Sequence, residues 1–320
     1  MASFSEKLNA YLKKRMAALP EIVPAGNDLI CPQDPQNVRL TAVLWSDLHF
    51  SGFYAPERAM HCRTAMRDLS QAASPVDVLL ITGDLAENGK QAEKEYLAEQ
   101  LNLLPTVRNI LPVSGNHDSR LRHIAHSEQK FARFCGMVNP RIRTEKLYYS
   151  FDVNGYTFLV LGTTKTMFEA CAFDEEEIEW MCRELARATA QGRPVFVALH
   201  QPLRRTHNLP RSWDYPGDER GAVGAQSDRI RGILNEYPNV FLLSGHLHRG
   251  FSINTYEEVG RIHSVNVPST GVWNKDSDYG NAGLGFLMEV YDDCVVFRPR
   301  DFIAGGFIPE YVKKYPLEAE

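Results

Sequence analysis

The chain has 320 residues, of which 44% are apolar, with 22 glycines and 18 prolines. This composition excludes a collagen, a coiled coil or a disordered tail as a description of the whole chain, and the length suffices for one large core. The 35 basic and 40 acidic residues give a formal charge of −5, which lacks the clustered basic excess of a nucleic-acid-binding surface. No apolar run approaches the roughly 18 residues of a membrane-spanning helix.

Residues 1–19 are rich in Lys and Arg and predict an amphipathic helix. They lack the apolar segment and cleavage site of a secretory signal, and a solvated face is favoured over contact with anionic lipid. The six cysteines form no Cys-x-x-Cys pair, so buried thiols are favoured over disulfides or a zinc knuckle. We therefore expect a reducing, cytoplasmic location. The cysteines are Cys31, Cys62, Cys135, Cys171, Cys182 and Cys294.

Short apolar runs alternate with helical patterns along the chain, which predicts a layered α/β fold. The predicted strands cover residues 41–47, 77–84, 109–116, 157–163, 194–200 and 239–246. One helix is predicted from Pro56 and another after Asp174, which is a candidate N-cap. Residues 285–290 and 294–298 predict an antiparallel hairpin. We expect an N-terminal helical extension (1–40), a catalytic domain (41–275), and a C-terminal hairpin and tail (276–320) packed on that domain.

The predicted strands end in polar residues that could carry chemistry. Five of the ten histidines lie at these ends, beside Asp, Asn and Gly; they are His49, His117, His200, His246 and His248. In α/β sheets, functional groups gather where strands end and loops begin. Random scatter would not place half of the histidines there, so the pattern indicates a functional site.

The residue types at the strand ends favour a metal site. Imidazole nitrogens and carboxylate oxygens suit Zn, Mn or Fe. The seven candidate donors are Asp47, His49, Asp84, Asn116, His200, His246 and His248. Seven donors are too many for one ion with room for a substrate, but they fit two ions that share a carboxylate, and a two-metal site is suited to hydrolysis at phosphorus. On a strand end, Asp47 and His49 are expected to face one side while Leu48 faces the core.

The order Asp-x-His, Gly-Asp, Gly-Asn-His-Asp, His and Gly-His-x-His resembles the signature of the calcineurin-like metallophosphoesterases. The five blocks run from Asp47 to His248, about two thirds of the chain. The resemblance implies a four-layer αββα sandwich and two divalent or mixed-valence ions of Mn, Fe or Zn. It also implies hydrolysis by a hydroxide that bridges the ions.

The resemblance further implies a role for each site residue. One ion is held by Asp47, His49, Asp84 and His248, and the other by Asp84, Asn116, His200 and His246, with Asp84 bridging. His117 binds no metal but faces the phosphate and protonates or stabilises the leaving oxygen, and Asp118 orients it. Asn116 also contacts the substrate.

Within this family, the segment 83–89, followed by a helix that contains Glu95, resembles the class III cyclic-nucleotide and glycerophosphodiester phosphodiesterases. Serine/threonine phosphoprotein phosphatases have arginines at two places where this chain has Asn88 and Ser114. Phosphodiesterases of this type often have His-His-Pro, whereas this chain has Gln201 as the middle residue, a departure that concerns substrate contacts. A small phosphodiester is therefore the favoured substrate. A phosphomonoesterase or protein phosphatase is the alternative, and a metal-dependent scaffold is a third.

The segment 204–226 follows the His200 strand and has the length of a lid or a binding loop. The candidate substrate contacts there are Arg204, Arg205, His207, Trp213 and Tyr215, and a plain solvated loop is an equal alternative. We expect no duplex nucleic acid as a partner and no membrane span. A second subunit could pair with the C-terminal segment.

Overall fold

The computed structural model describes residues 4–24, 26, 28–52, 54–166, 168–169, 171–209 and 221–318. Its strands, in chain order, are β1 (Leu40–Trp45), β2 (Val78–Ile81), β3 (Ile110–Pro112), β4 (Tyr149–Val153), β5 (Tyr156–Val160), β6 (Val195–Ala198), β7 (Val240–Ser244), β8 (Tyr256–Val259), β9 (Ile262–Asn266), β10 (Leu284–Val290), β11 (Cys294–Asp301), β12 (Gly306–Phe307) and β13 (Lys313–Pro316). The helices are α1 (Phe4–Ala17), α2 (Pro56–Ser70), α3 (Gln91–Leu101), α4 (Asn116–Ser119), α5 (Ile124–Val138), α6 (Glu175–Thr189) and α7 (Ser227–Asn235), with a 3-10 turn at Pro309–Tyr311.

The strands form two mixed sheets. The first has the order β12-β11-β10-β1-β2-β3, with β13 also paired to β11, and the second has the order β4-β5-β6-β7-β9-β8. β1, β2 and β3 are parallel to one another, as are β5, β6, β7 and β9. Each parallel set therefore presents its carboxyl ends at one edge, which is where ligand sites form in such sheets.

Three apolar clusters hold the layers together. The largest lies between the sheets and includes Leu44 of β1, Phe196 of β6 and Phe286 of β10. The second joins the outer face of the first sheet to α2 and α3, and the third joins the second sheet to α6 and α7. The layers therefore run helix, sheet, sheet, helix, and the predicted four-layer αββα sandwich is confirmed.

The six predicted strands are present, but they end earlier than the apolar runs suggested. β2 ends at Ile81 rather than Asp84, and β7 ends at Ser244 rather than His246. The physical reason is the backbone: φ is 48° at Asp84 and 72° at His246, values that do not continue a pleated strand. The sheet therefore stops before the chemically active residues begin.

The helix predictions from Pro56 and Asp174 are confirmed, since α2 begins at Pro56 and α6 follows Asp174. The Asp174 carboxylate accepts a hydrogen bond from the Glu177 amide at 2.8 Å, which satisfies one of the unpaired N–H groups of the helix start. The N-terminal helix docks on the domain through α3: Lys13 Nζ lies 2.7 Å from Glu99 Oε1, and Met16 is buried.

The predicted C-terminal hairpin is also confirmed, as β10 and β11. β10 pairs antiparallel with β1, so the C-terminal segment completes the sheet that carries the first site residues. The boundaries 1–40, 41–275 and 276–320 stay a prediction. Within the described residues, no helix combines the length and the hydropathy that a bilayer crossing requires. All six cysteines are free thiols.

Candidate metal centre

The seven candidate donors lie together at the carboxyl edges of the two sheets. Two overlapping groups can be distinguished. The first group is Asp47, His49, Asp84 and His248, and the second is Asp84, Asn116, His200 and His246. In the first, His248 Nε2 lies 3.0 Å from His49 Nε2 and 3.0 Å from Asp47 Oδ1. In the second, His200 Nε2 lies 3.0 Å from Asn116 Oδ1 and 3.2 Å from His246 Nδ1.

Asp84 stands between the two groups. Its Oδ2 lies 3.3 Å from His49 Nε2 and 3.3 Å from His200 Nε2, so one oxygen faces a histidine of each group. Its Oδ1 accepts a hydrogen bond from the His117 amide at 2.8 Å, which fixes the rotation of the carboxylate. A carboxylate held in this way suits a ligand shared by two ions.

Most of the candidate donor residues have a left-handed backbone conformation. Five donors have positive φ: Asp47 (48°), His49 (41°), Asp84 (48°), His246 (72°) and His248 (49°). Such values are uncommon outside glycine and cluster at functional sites. They also correct the expected strand alternation at residues 47–49. Leu48 is buried as expected, but its two neighbours have left-handed backbone conformations rather than those of a pleated strand.

Gly83 permits the approach of His200 to Asp84. Its φ is 105°, and a Cβ atom there would lie 2.3 Å from His200 Nδ1. No L-amino acid with a side chain fits both conditions. The glycine of the Gly-Asp block is therefore required by packing against a candidate ligand.

The orientation of two candidate ligand rings fits a metal ion. His49 Nδ1 donates to Glu87 Oε2 at 2.7 Å, and His200 Nδ1 donates to the Thr82 carbonyl at 2.8 Å. Both Nε2 atoms are therefore left to face the site, where they lie 3.0–3.3 Å from other candidate ligand atoms. In metal-ligating histidines, too, the second ring nitrogen donates to a carboxylate or a carbonyl, which fixes the orientation of the ring. The oxygen and imidazole donors suit Mn, Fe or Zn.

The electrostatics of the site also favour bound positive charge. Burial by itself lowers the pKa of His49 and of His200, but the nearby carboxylates, Asp84 foremost, raise the two pKa values to about 10 and about 9. Burial opposes ionisation of Asp84, yet the surrounding histidines hold its pKa below the usual range. Asp47 and Asp84 are almost fully buried. Two buried carboxylates that stabilise cationic histidines offer the same field to a metal ion.

His117 lies beside the first group, and its ring centroid is 4.4 Å from that of His49. The expected orienting contact with Asp118 is wrong. His117 Nδ1 donates to the Glu87 carbonyl at 2.8 Å instead. The Asp118 carboxylate accepts from the Gly115 and Leu85 amides and pairs with Lys94, because its turn directs it back into the protein. Asp118 therefore ties two ligand loops together without touching the imidazole.

Sequence reasoning missed three charged residues at this edge. Glu87 binds His49, Arg58 forms an ion pair with the Glu87 carboxylate, and Arg120 Nη1 lies 3.1 Å from His117 Nε2. Glu87 and Arg120 each lie three residues after a member of the site, which could have drawn attention to them. Arg58 carries no such signal because it lies on α2, remote in sequence from its partner.

The substrate contact expected of His207 is not supported by its surroundings. Its side chain is buried, with Nδ1 2.8 Å from the Asn254 carbonyl and Nε2 2.8 Å from Ser264 Oγ. Both ring nitrogens are therefore used inside the fold. Arg204 Nη2 donates to Asp228 at 3.0 Å, and its contact with a substrate stays a prediction. Trp213 and Tyr215, which were also predicted to contact the substrate, lie outside the described residues.

The chain is similar in sequence to several known proteins. The sequence profile of the family described as calcineurin-like phosphoesterase matches residues 40–250. A 3',5'-cyclic-nucleotide phosphodiesterase from Nostoc sp. is 27% identical over 206 residues, covering 64% of this chain and 66% of that protein. Purple acid phosphatase 15 from Arabidopsis thaliana is 24% identical over 224 residues, covering 68% of this chain and 38% of that protein.

The fold itself recurs in solved structures. A dimetal phosphatase from Danio rerio superposes with a TM-score of 0.60 at 11% identity, covering 88% of this chain and all of that chain. The curated relatives are longer than the matched stretch, which spans just under two thirds of the Nostoc protein and less than two fifths of the Arabidopsis protein.

Proposed function

Because the chain belongs to the calcineurin-like phosphoesterase family, we propose that it is a metal-dependent phosphoric ester hydrolase that favours phosphodiesters, cyclic nucleotides among them. The observation that carries this proposal is the position of Asp84 Oδ2, 3.3 Å from a histidine nitrogen of each ligand group. One shared carboxylate between two sets of neutral and anionic donors is the arrangement that a two-metal phosphoesterase uses. The similarity to the Nostoc cyclic-nucleotide phosphodiesterase supports the choice of a diester.

In the proposed centre, each of the two ligand groups would hold one ion of Mn, Fe or Zn, and Asp84 would belong to both groups. When bound, such ions act as Lewis acids on the phosphate and lower the pKa of water toward neutrality. Glu87 and the Thr82 carbonyl hold His49 and His200 with their Nε2 atoms turned toward the site. Residues of the chain thus preset the ligand geometry before a substrate arrives.

Around the phosphate, Asn116 and His117 are the proposed contacts. Both belong to α4, whose first residue is Asn116. The His117 amide donates to Asp84 Oδ1, so the backbone of this turn is attached to the shared carboxylate. We propose that His117 offsets charge on the leaving oxygen through Nε2, which faces Arg120 in the structure and must take up a proton for this role. A charge-stabilising group placed in advance in this way contributes more than one that must reorient.

The test compares hydrolysis of bis-p-nitrophenyl phosphate with that of p-nitrophenyl phosphate, using metal-stripped protein with and without added Mn²⁺. We expect activity that returns with the metal and favours the diester. The matched control is Asp84→Asn, which keeps the size of the side chain. It is expected to weaken the binding of both ions and to abolish both activities. Preference for the monoester would replace the phosphodiesterase with the phosphomonoesterase alternative. No activity with Mn, Fe or Zn would overturn the enzymatic proposal.

The phosphomonoesterase is the second candidate because of one specific finding, the similarity to a purple acid phosphatase over 68% of this chain. A cytoplasmic location and a small-molecule partner complete the proposal. The free thiols support the first of these, and the family supports the second.

A further inference from the structure

Two arginines lie beside the cluster of His49, Glu87 and His117. One contacts a carboxylate, whereas the other contacts an imidazole. Arg58 forms an ion pair with the Glu87 carboxylate. Arg120 directly follows α4, and its Nη1 lies 3.1 Å from His117 Nε2. Among the residues that the structure describes, no carboxylate lies within ion-pairing distance of the Arg120 guanidinium. Arg120 therefore brings a positive charge to the site that an imidazole contacts but does not neutralise.

The hydrogen bonds of His117 define how it meets Arg120. His117 Nδ1 donates to the Glu87 carbonyl at 2.8 Å, so this nitrogen carries the ring proton. Nε2 then presents a lone pair, which accepts the hydrogen bond from Arg120 Nη1. His117 thereby holds the guanidinium next to the first ligand group, since its ring packs edge-on against His49.

The backbone also places Arg120 close to the candidate ligands. Its amide donates to the Asn116 carbonyl at 2.7 Å, so it stays on the same turn as a residue of the second group. The nearby Arg122 is used differently: its guanidinium donates to the Asp118 and Asn88 carbonyls at 2.9 and 2.6 Å. The Arg122 guanidinium therefore stabilises the loop, whereas the Arg120 guanidinium contacts His117 at the site.

A guanidinium that pairs with no carboxylate of the described residues, next to a site proposed to hold two metal ions, is repelled by those ions. An anion between them removes the repulsion, and a phosphoryl group is the anion that the proposed function brings there. Arginine suits this task because its planar fork donates two parallel hydrogen bonds to phosphate oxygens. We infer that Arg120 binds a phosphoryl oxygen of the substrate and that His117 positions its guanidinium, an inference that rests on the proposed function.

The experiment measures the binding of inorganic phosphate to the metal-loaded protein by titration calorimetry. Arg120→Gln is expected to weaken phosphate binding by about 10- to 100-fold, the range for loss of a charge-assisted hydrogen bond. It should lower kcat/KM for the diester similarly, while metal content stays unchanged. Arg120→Lys should recover part of the affinity because it restores the charge without the fork. The matched control is Arg133→Gln, which removes an exposed arginine paired with Glu95 on α3.

Phosphate affinity of Arg120→Gln equal to that of the wild type, with full metal content, would overturn the inference. If the Gln variant loses metal, Arg120→Ala with millimolar guanidinium chloride decides: restored phosphate binding supports a direct contact, and no restoration contradicts it. Wild-type protein that binds phosphate through Arg120 but hydrolyses neither ester would refute the proposed function while supporting the phosphate contact.

Discussion

Gly115 lies against the shared carboxylate, and replacing it by alanine should misplace that carboxylate. The backbone of Gly115 is ordinary, with φ −95°, so the added methyl group is the main perturbation. An ideal Cβ atom there would lie 2.1 Å from Asp84 Oδ1, whereas real Cβ contacts essentially never fall below 3.0 Å. One of the two groups must therefore move by about 0.9 Å.

A displacement of about 1 Å in a reacting geometry costs on the order of 100-fold in rate. Because Asp84 faces both ligand groups, we expect Gly115→Ala to lower kcat/KM for bis-p-nitrophenyl phosphate by about 100-fold. The bound metal per chain, measured by plasma mass spectrometry, should fall as well. Both measurements are made on protein reconstituted with Mn²⁺.

The matched control is Gly136→Ala. Gly136 lies in α5, is exposed, and would place its Cβ atom in open space. Alanine there should keep the activity and raise the free energy of unfolding by about 0.5–1 kcal/mol, the usual cost of a glycine inside a helix. Wild-type activity and full metal content in Gly115→Ala would refute the steric reasoning, because the loop would then absorb the methyl group without moving Asp84.

Three further predictions concern single side chains. His117→Ala should leave metal content nearly intact while kcat falls, most with a poor leaving group; metal loss equal to that of Asp84→Asn would contradict its role. Glu87→Gln should weaken metal binding by about 10- to 100-fold, measured by chelator competition, because Glu87 orients His49. Burial raises the pKa of Glu177 well above its usual value, so the native state binds this proton more tightly than the unfolded chain. The free energy of unfolding should therefore fall as the pH rises from the unfolded pKa of Glu177 through its raised native pKa. In Glu177→Gln the side chain can still accept the hydrogen bond from the Gly162 amide. This variant should unfold at a higher temperature than the wild type at pH 8 but not at pH 5.

Much of the candidate site could be predicted because its residue types recur at strand ends in order along the chain. Asp47, Asp84 and His200 each follow a buried strand, and parallel strands bring such ends to one edge. The Asp118 contact could not be predicted in this way. The resemblance to the family implied that Asp118 orients His117, but the two side chains have different hydrogen-bond partners in the structure.

The sequence by itself determined the layered fold and the seven candidate donors, because apolar periodicity and donor chemistry are local properties of the chain. The tertiary structure alone decided which donors meet at Asp84 Oδ2 and which charges surround His117. It also decided that the His207 ring is hydrogen-bonded inside the fold, since its partners Asn254 and Ser264 lie 47 and 57 residues away in sequence. Contacts at such separations depend on how the sheets and loops pack, and no spacing within one segment records that packing.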